Sequence, residues 1–329
     1  MEKVFVTGPD GLLGNHVVRD LIRRGYSVVA MVQTGRKAPS LEGLGLEVVF
    51  GEITNKAEVT ALSAGCKYFI HIAAITDVWP SKGDKYFRVN VGGTANAVSA
   101  ALKNKVARFI HIGSASSFRS GNEDKPGTEK ESYRFTEYNM DYMKSKHMAQ
   151  EYVLNAVKHD GLPGIVLCPT FMIGAYDSKP SSGAMLIAVA RKKLPYVAGG
   201  GKNWVSAKNV ASAVCNALEK GRPGECYILG GENVSYRQMV SAISNVVGGY
   251  HTPRPVIPKT LVLGAGLLSS VFARAFRTTP KISLPMAQMA CVRHYYDPSK
   301  AISELEMPQE PIESAIAESH RWFLENGYL

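Results

Sequence analysis

Tyr142 and Lys146 stand four residues apart in Tyr142-Met143-Lys144-Ser145-Lys146, a stretch whose composition suits a helix. An i, i+4 spacing puts both side chains on one helix face. A phenol ionises near ~10 and exchanges protons poorly at neutral pH unless a cation stabilises its phenolate. A lysine one turn away provides that cation, so the pair could move a proton on or off a substrate oxygen. Ser114 is the third candidate. It follows an apolar run at 109–112, and although serines after a strand often only shape the loop, its place at a strand end sets it apart. Tyr296 and Lys300 repeat the spacing, but Pro298 lies between them and nothing suggests a helix to align them.

Such groups need a scaffold, and the scaffold begins at the N-terminus. The apolar run Val4-Phe5-Val6 leads into Thr7-Gly8-Pro9-Asp10-Gly11-Leu12-Leu13-Gly14. This spacing predicts a buried strand, a tight turn and a helix start, where backbone N–H groups and a helix dipole can hold a diphosphate. Gly8 makes the turn, Gly11 lets the pyrophosphate approach, and Gly14 lets the helix pack on the strand. Further apolar, β-branched runs at 27–32, 46–50, 68–72, 109–112 and 164–168 alternate with helical segments at 12–24, 56–63, 86–104 and 138–159. The alternation predicts an α/β protein with a doubly wound parallel sheet of the Rossmann kind, its functional loops gathered along one cleft. Residues 1–179 read as the dinucleotide-binding domain. Residues 180–329 read as a smaller α/β substrate-covering region, with helices at 184–193, 210–220, 236–247 and 312–325 and room for some segments to return to the sheet.

The cofactor expectation rests on the strand ends. No acid follows the second strand, which ends Met31-Val32-Gln33-Thr34, whereas Arg36 and Lys37 lie just beyond. A 2′-phosphate suits such cations, so NADP(H) is favoured over NAD(H). Glu52 and Ile53 end the third strand where an adenine would lie. Ala73 and Ala74 end the fourth, and His71 within that strand reads as structural. Asn90, Ile112 and the run Pro169-Thr170-Phe171-Met172-Ile173 complete the cofactor-lining set, the last near the nicotinamide.

The 329 residues carry a net charge of +10, and from His251 to Lys300 seven Lys or Arg face Asp297 alone. Basic windows favour anionic partners, but no nucleic-acid-binding signature is present. The five cysteines are odd in number and unpaired in spacing, which argues for a reduced, cytoplasmic compartment without a metal site; Cys168, Cys215 and Cys226 lie in apolar runs that suit a core. Nothing at the start resembles a signal peptide. The run Leu261 to Phe276 (LVLGAGLLSSVFARAF) has two readings: an ordinary core helix, slightly preferred, or a border of the substrate pocket suited to an apolar substrate and able to rest on an anionic membrane.

Taken in order, Thr7 to Gly14, His71-Ile72-Ala73-Ala74, Asn90-Val91-Gly92-Gly93-Thr94, Ser114, Tyr142 with Lys146, and Pro169-Thr170 resemble the extended short-chain dehydrogenase/reductase family over essentially the whole chain. The segment from Glu219 to Asn233 and the ending Trp322-Phe323…Asn326-Gly327-Tyr328 are most similar to its dihydroflavonol-reductase-like and hopanoid-associated sugar-epimerase-like members. The resemblance implies that Tyr142 is the general acid/base, that Lys146 lowers its pKa and holds the nicotinamide ribose, and that Ser114 binds the substrate oxygen. It implies an NADP(H)-dependent oxidoreductase interconverting a ketone and a secondary alcohol, acting as a monomer or homodimer. The alternative is a nucleotide-sugar epimerase with tightly bound NAD. Two departures stand out: Gln33 where NADPH-using members often carry arginine, and Lys208-Asn209 where many have an aspartate pair, Asn209 still being able to cap the following helix.

Overall fold

The computed structural model describes all residues except 132–137, 249–254 and 281. Its strands are β1 (Lys3–Thr7), β2 (Ser27–Gln33), β3 (Glu47–Gly51), β4 (Tyr68–His71), β5 (Arg108–Ile112), β6 (Gly164–Pro169), β7 (Phe171–Ile173), β8 (Gly201–Ser206), β9 (Cys226–Leu229), β10 (Glu232–Ser235) and β11 (Arg293–His294). The main sheet is parallel, in the order β3-β2-β1-β4-β5-β6-β9. Its direction of growth reverses between β1 and β4, and the crevice for a ligand opens at that switch point, beside Gly8 and Ala73.

The strands are apolar on both faces because helices cover both. Val4, Val6, Ile70 and Ile110 pack with Val17, Val18 and Leu21 of the Leu12–Arg23 helix on one side; Phe5, Phe69 and Phe109 pack with Ala97, Ala101 and Val153 on the other. The seventh strand, β9, is a segment of 180–329 that returns to the main sheet, at a position the apolar pattern does not give. It comes from within the C-terminal half, as does the Ala207–Asn216 helix, which packs on Leu12–Arg23.

Several predicted boundaries shift for physical reasons. The 138–159 helix starts at Asp141, because Asn139 has φ +45° and Met140 is extended. The 86–104 helix contains a wide π-helical turn, Phe87–Gly92, before Gly93–Lys103, and such widened turns recur at functional sites. Asn209 does not cap its helix. Ser206 holds the cap position and Asn209 lies one turn in, buried, with Nδ2 donating to the Glu310 carbonyl at 3.5 Å.

Beyond β6 the chain builds a small second sheet, in which β8 pairs with β7, β10 and β11. Its core joins Ile173, Leu186, Trp204, Met239, Ile243, Ile316 and Phe323. The Lys259–Ala275 helix is not the ordinary core helix that its apolar run suggests. Only Val262, Gly266, Ser270 and Ala273 are buried, because these small residues, rather than the leucines and phenylalanines, face the protein. Among the described residues no helix is long and apolar enough to cross a membrane.

Candidate active site

The turn after β1 is shaped for an anion. Gly8 has φ +68°, and a Cβ there would lie 2.9 Å from the Ala73 nitrogen. A Cβ on Gly14 would lie 2.0 Å from the Gly8 carbonyl oxygen, so glycine at 14 is required by the turn folding back over the helix, rather than by the strand beneath as the spacing suggests. Gly11 meets nothing closer than 3.8 Å, and as N-cap it offers no side chain to the first helical N–H groups, which remain free for an outside acceptor. The first turn holds no acid. The carboxylate nearest in sequence, Asp10, is neutralised by Arg36 at 3.7 Å. These residues fit a dinucleotide diphosphate.

From that turn a line of hydrogen bonds runs to the Asp141–Asp160 helix. Thr7 Oγ1 accepts from the N–H groups of Ile72 and Ala73, each at 3.1 Å, and meets His71 Nδ1 at 2.9 Å. His71 Nε2 lies 3.1 Å from Thr94 Oγ1, whose hydroxyl donates to the Asn90 carbonyl at 2.6 Å. Since the Thr94 proton is thereby committed, His71 carries its proton on Nε2 and accepts the Thr7 proton at Nδ1. Burial pushes His71 down to about 3, so it stays neutral and structural. The Asn90 carboxamide brackets Ile75, accepting from its N–H at 2.8 Å and donating to its carbonyl at 3.1 Å, and also donates to Ser145 Oγ at 3.0 Å; Ser145 donates to the Tyr142 carbonyl at 2.8 Å. Asn90, a cofactor-contact candidate by sequence, thus commits both amide protons to protein and ties the β4 loop to the helix bearing Tyr142. The π-helical turn puts it within reach.

Ser114 and Tyr142 come together, the Ser114 side chain standing near enough to favour the ionised phenol, and the Ser114 hydroxyl lies 2.8 Å from Ser116 Oγ. Lys146 is 4% exposed and donates to the Ile112 carbonyl at 2.6 Å. The spacing of Tyr142 and Lys146 leads one to expect a lowered phenol, but Lys146 is not among the influences on it in this structure. Burial raises the phenol above its ordinary value, and the nearby Ser114 side chain is the opposing influence. The same enclosure pulls Lys146 down to about 8. Tyr142 also packs against the buried pair Met140 and Met143, which Val78, Tyr138 and Met289 flank.

The remaining expected cofactor residues divide. Arg36 and Lys37 are exposed beyond β2, near the turn; Gln33 donates to the Glu52 carboxylate at 3.3 Å. Leu13 and Ile53 are buried, Ile53 beneath Gly93; Leu12, Ala73 and Ala74 are partly open, and Ile112 receives Lys146. Pro169 ends β6, and the Thr170 hydroxyl donates to Asn203 Oδ1 at 2.7 Å. Ile173 lies in the core of the second sheet. Phe171 is covered by Lys202, whose ammonium lies 3.6 Å from the ring centroid and is pulled down to about 8 by burial. Lys202 escaped notice in sequence; a lysine between Gly201 and Trp204 in a short apolar strand was the available signal. The second Tyr-Lys spacing does no comparable work: Tyr296 is buried, and Lys300 donates to Glu225 and to the Cys226 carbonyl, both at 2.7 Å.

Comparison with known proteins agrees with this geometry. A family profile described as "NAD dependent epimerase/dehydratase family" matches residues 4–230. Among curated proteins, a Synechocystis protein named "Putative dihydroflavonol 4-reductase" is 28% identical over 99% of this chain and 95% of its own length. "Sterol demethylase protein B" of Methylococcus capsulatus is 27% identical, covering 99% of each. The crystal structure of a nucleoside-diphosphate-sugar epimerase from Pseudomonas aeruginosa superposes with a TM-score of 0.79 at 24% identity, over 100% of this chain and 99% of that one, a likeness of fold. With the profile spanning well over half its length, the chain belongs to the NAD-dependent epimerase/dehydratase family of extended short-chain dehydrogenase/reductases and is an NAD(P)-dependent oxidoreductase acting between CH–OH and C=O.

Proposed function

We propose that the protein reduces an apolar ketone to a secondary alcohol, or the reverse, using NADP(H). The observation that carries this reading is Tyr142 beside Ser114, packed in a cluster with Met140, Met143, Val78, Tyr138 and Met289. When bound at the glycine turn, the dinucleotide supplies or accepts the hydride. Ser114 and Tyr142 hold the carbonyl oxygen through their hydroxyls, and Tyr142 gives up its proton as negative charge grows on that oxygen. At neutral pH the phenol carries the proton that reduction uses. Lys146 keeps a donor at the floor of the cleft, where the nicotinamide ribose hydroxyls would lie. The names of the two relatives, a dihydroflavonol reductase and a sterol demethylase protein, support a rigid apolar substrate.

Arg36 supports the choice of NADP(H). Its pairing with Asp10 is half-exposed and long, a contact worth roughly 0–1 kcal/mol, so a 2′-phosphate can displace it for a charge-assisted bidentate contact. We expect NADPH to bind tighter than NADH, and Arg36→Ala with Lys37→Ala to erase most of the difference; fluorescence titration of both cofactors measures it. An unmodified protein that prefers NADH by about tenfold overturns the assignment.

The reaction itself is tested by following nicotinamide absorbance with a panel of ketones. Hydrophobic cyclic ketones should turn over and nucleotide sugars should not. The epimerase alternative draws on likeness of fold, and it predicts the opposite pattern together with NAD that stays bound through purification.

A further inference from the structure

The Lys259–Ala275 helix is turned inside out. Its buried residues are Val262, Gly266, Ser270 and Ala273, and a Cβ on Gly266 would lie 2.5 Å from the Ala287 Cβ of the Leu284–Ala290 helix beneath. Its large side chains face water: Leu261 is 63% exposed, Leu267 50%, Leu268 72%, Val271 57% and Phe272 58%, with Phe276 just past the end at 64%. At 100° per residue these positions form one contiguous face opposite the buried one. The Phe272 and Phe276 rings lie 4.4 Å apart within it. Exposed Tyr196 and Val256 border the start of the helix, where Val197 pairs with Val256. A continuous apolar surface of this kind marks a docking site.

Charge identifies the occupant. From Asn233 to Tyr296 the chain has no Asp or Glu. Lys259, Arg274 and Arg277 are exposed at the two ends of the helix, and none makes an ion pair among the described residues. A second copy meeting this face about a two-fold axis would bring like-charged rims together. An anionic lipid surface takes the apolar row among its acyl chains and the cations among its headgroups. The helix has 17 residues, is interrupted by Gly264, Gly266 and a serine pair, and is not apolar enough to span a bilayer.

We propose that this face docks the protein on an anionic membrane, with the helix lying in the interface. The Leu284–Ala290 helix beneath it carries Met289, which packs against the same Met140 and Met143 pair as Tyr142.

The test is co-sedimentation of the full chain with vesicles of phosphatidylcholine alone and of phosphatidylcholine with phosphatidylglycerol. Binding is expected only to the anionic vesicles and should weaken with salt, as screening shortens toward ~3 Å at about 1 M. Leu268→Glu with Phe272→Glu should reduce partitioning by roughly tenfold or more, and both side chains point to water, so the melting temperature should not fall. Arg274→Gln with Arg277→Gln should also reduce it by about tenfold or more without touching the apolar row. No binding to either vesicle, equal binding to both, or undiminished binding of the Leu268→Glu/Phe272→Glu variant overturns the proposal. A dimer in light scattering that this variant dissociates assigns the face to a second copy instead.

Discussion

Tyr142→Phe is expected to lower kcat by roughly 10²- to 10⁴-fold, the range a positioned proton donor contributes, while leaving cofactor affinity nearly unchanged. The substitution removes one oxygen and little volume from a side chain packed against Met140 and Met143, so the protein should fold as before. Burial keeps the phenol protonated beyond its ordinary range, which gives the pH dependence a sign. Reduction, which uses the phenol, should be flat across neutral pH and fall only when the phenol ionises in strong base; oxidation, which uses the phenolate, should rise with pH. Near-native turnover in the variant removes Tyr142 from the reaction, and an oxidation rate falling as pH rises refutes the proposed proton path. Ser114→Ala makes a milder comparison. It removes the hydroxyl that opposes the effect of burial on the phenol, so the variant's oxidation profile should shift to higher pH.

Lys146→Met should separate activity from stability. The ammonium is enclosed and its pKa is pulled down to about 8, against an ordinary value of 10.5. Below that folded value both the folded and the unfolded chain are protonated, and the burial penalty stands in full. Between about 8 and 10.5 the unfolded chain holds more protons, so native stability rises with pH through that window. A methionine carries no such penalty. After allowance for the Ile112 carbonyl left without its donor, the variant should be more stable than the native protein at pH 7 by about 1–2 kcal/mol, and the advantage should shrink toward pH 10. Calorimetry across pH measures it. Turnover and cofactor affinity should both fall, because the donor at the floor of the cleft is gone. A variant that melts lower than the native protein at pH 7 shows that the lysine's hydrogen bond outweighs its desolvation.

Both expectations draw on features of unequal legibility in sequence. The glycine turn, the positions along the chain of the first six strands and the Tyr142–Lys146 spacing were legible because each depends on local physics: glycine where a Cβ has no room, β-branched runs where both faces are buried, and side chains one helical turn apart. Even so, the reason for Gly14 was misread, since the contact it avoids is with Gly8 in the folded-back turn. The engagement of Asn90 by Ile75 and Ser145 depends on a π-helical turn that no periodicity announces.

By itself the sequence determined a parallel α/β sheet, a dinucleotide turn at its N-terminus and a tyrosine–lysine pair on one helix face. The tertiary structure decided the rest. It placed β9, drawn from residues 226–229, at the edge of the main sheet, a pairing between segments far apart in sequence. It enclosed Tyr142 so that burial raises the phenol, because a pKa answers to the solvent excluded by the whole fold as well as to spacing along one helix. It also turned Leu268 and Phe272 outward, because the neighbouring Leu284–Ala290 helix approaches so closely that only Gly266 and other small residues fit between them. Hydrophobicity along a chain reports that a side chain prefers to leave water. Which surface receives it is settled only when the elements pack.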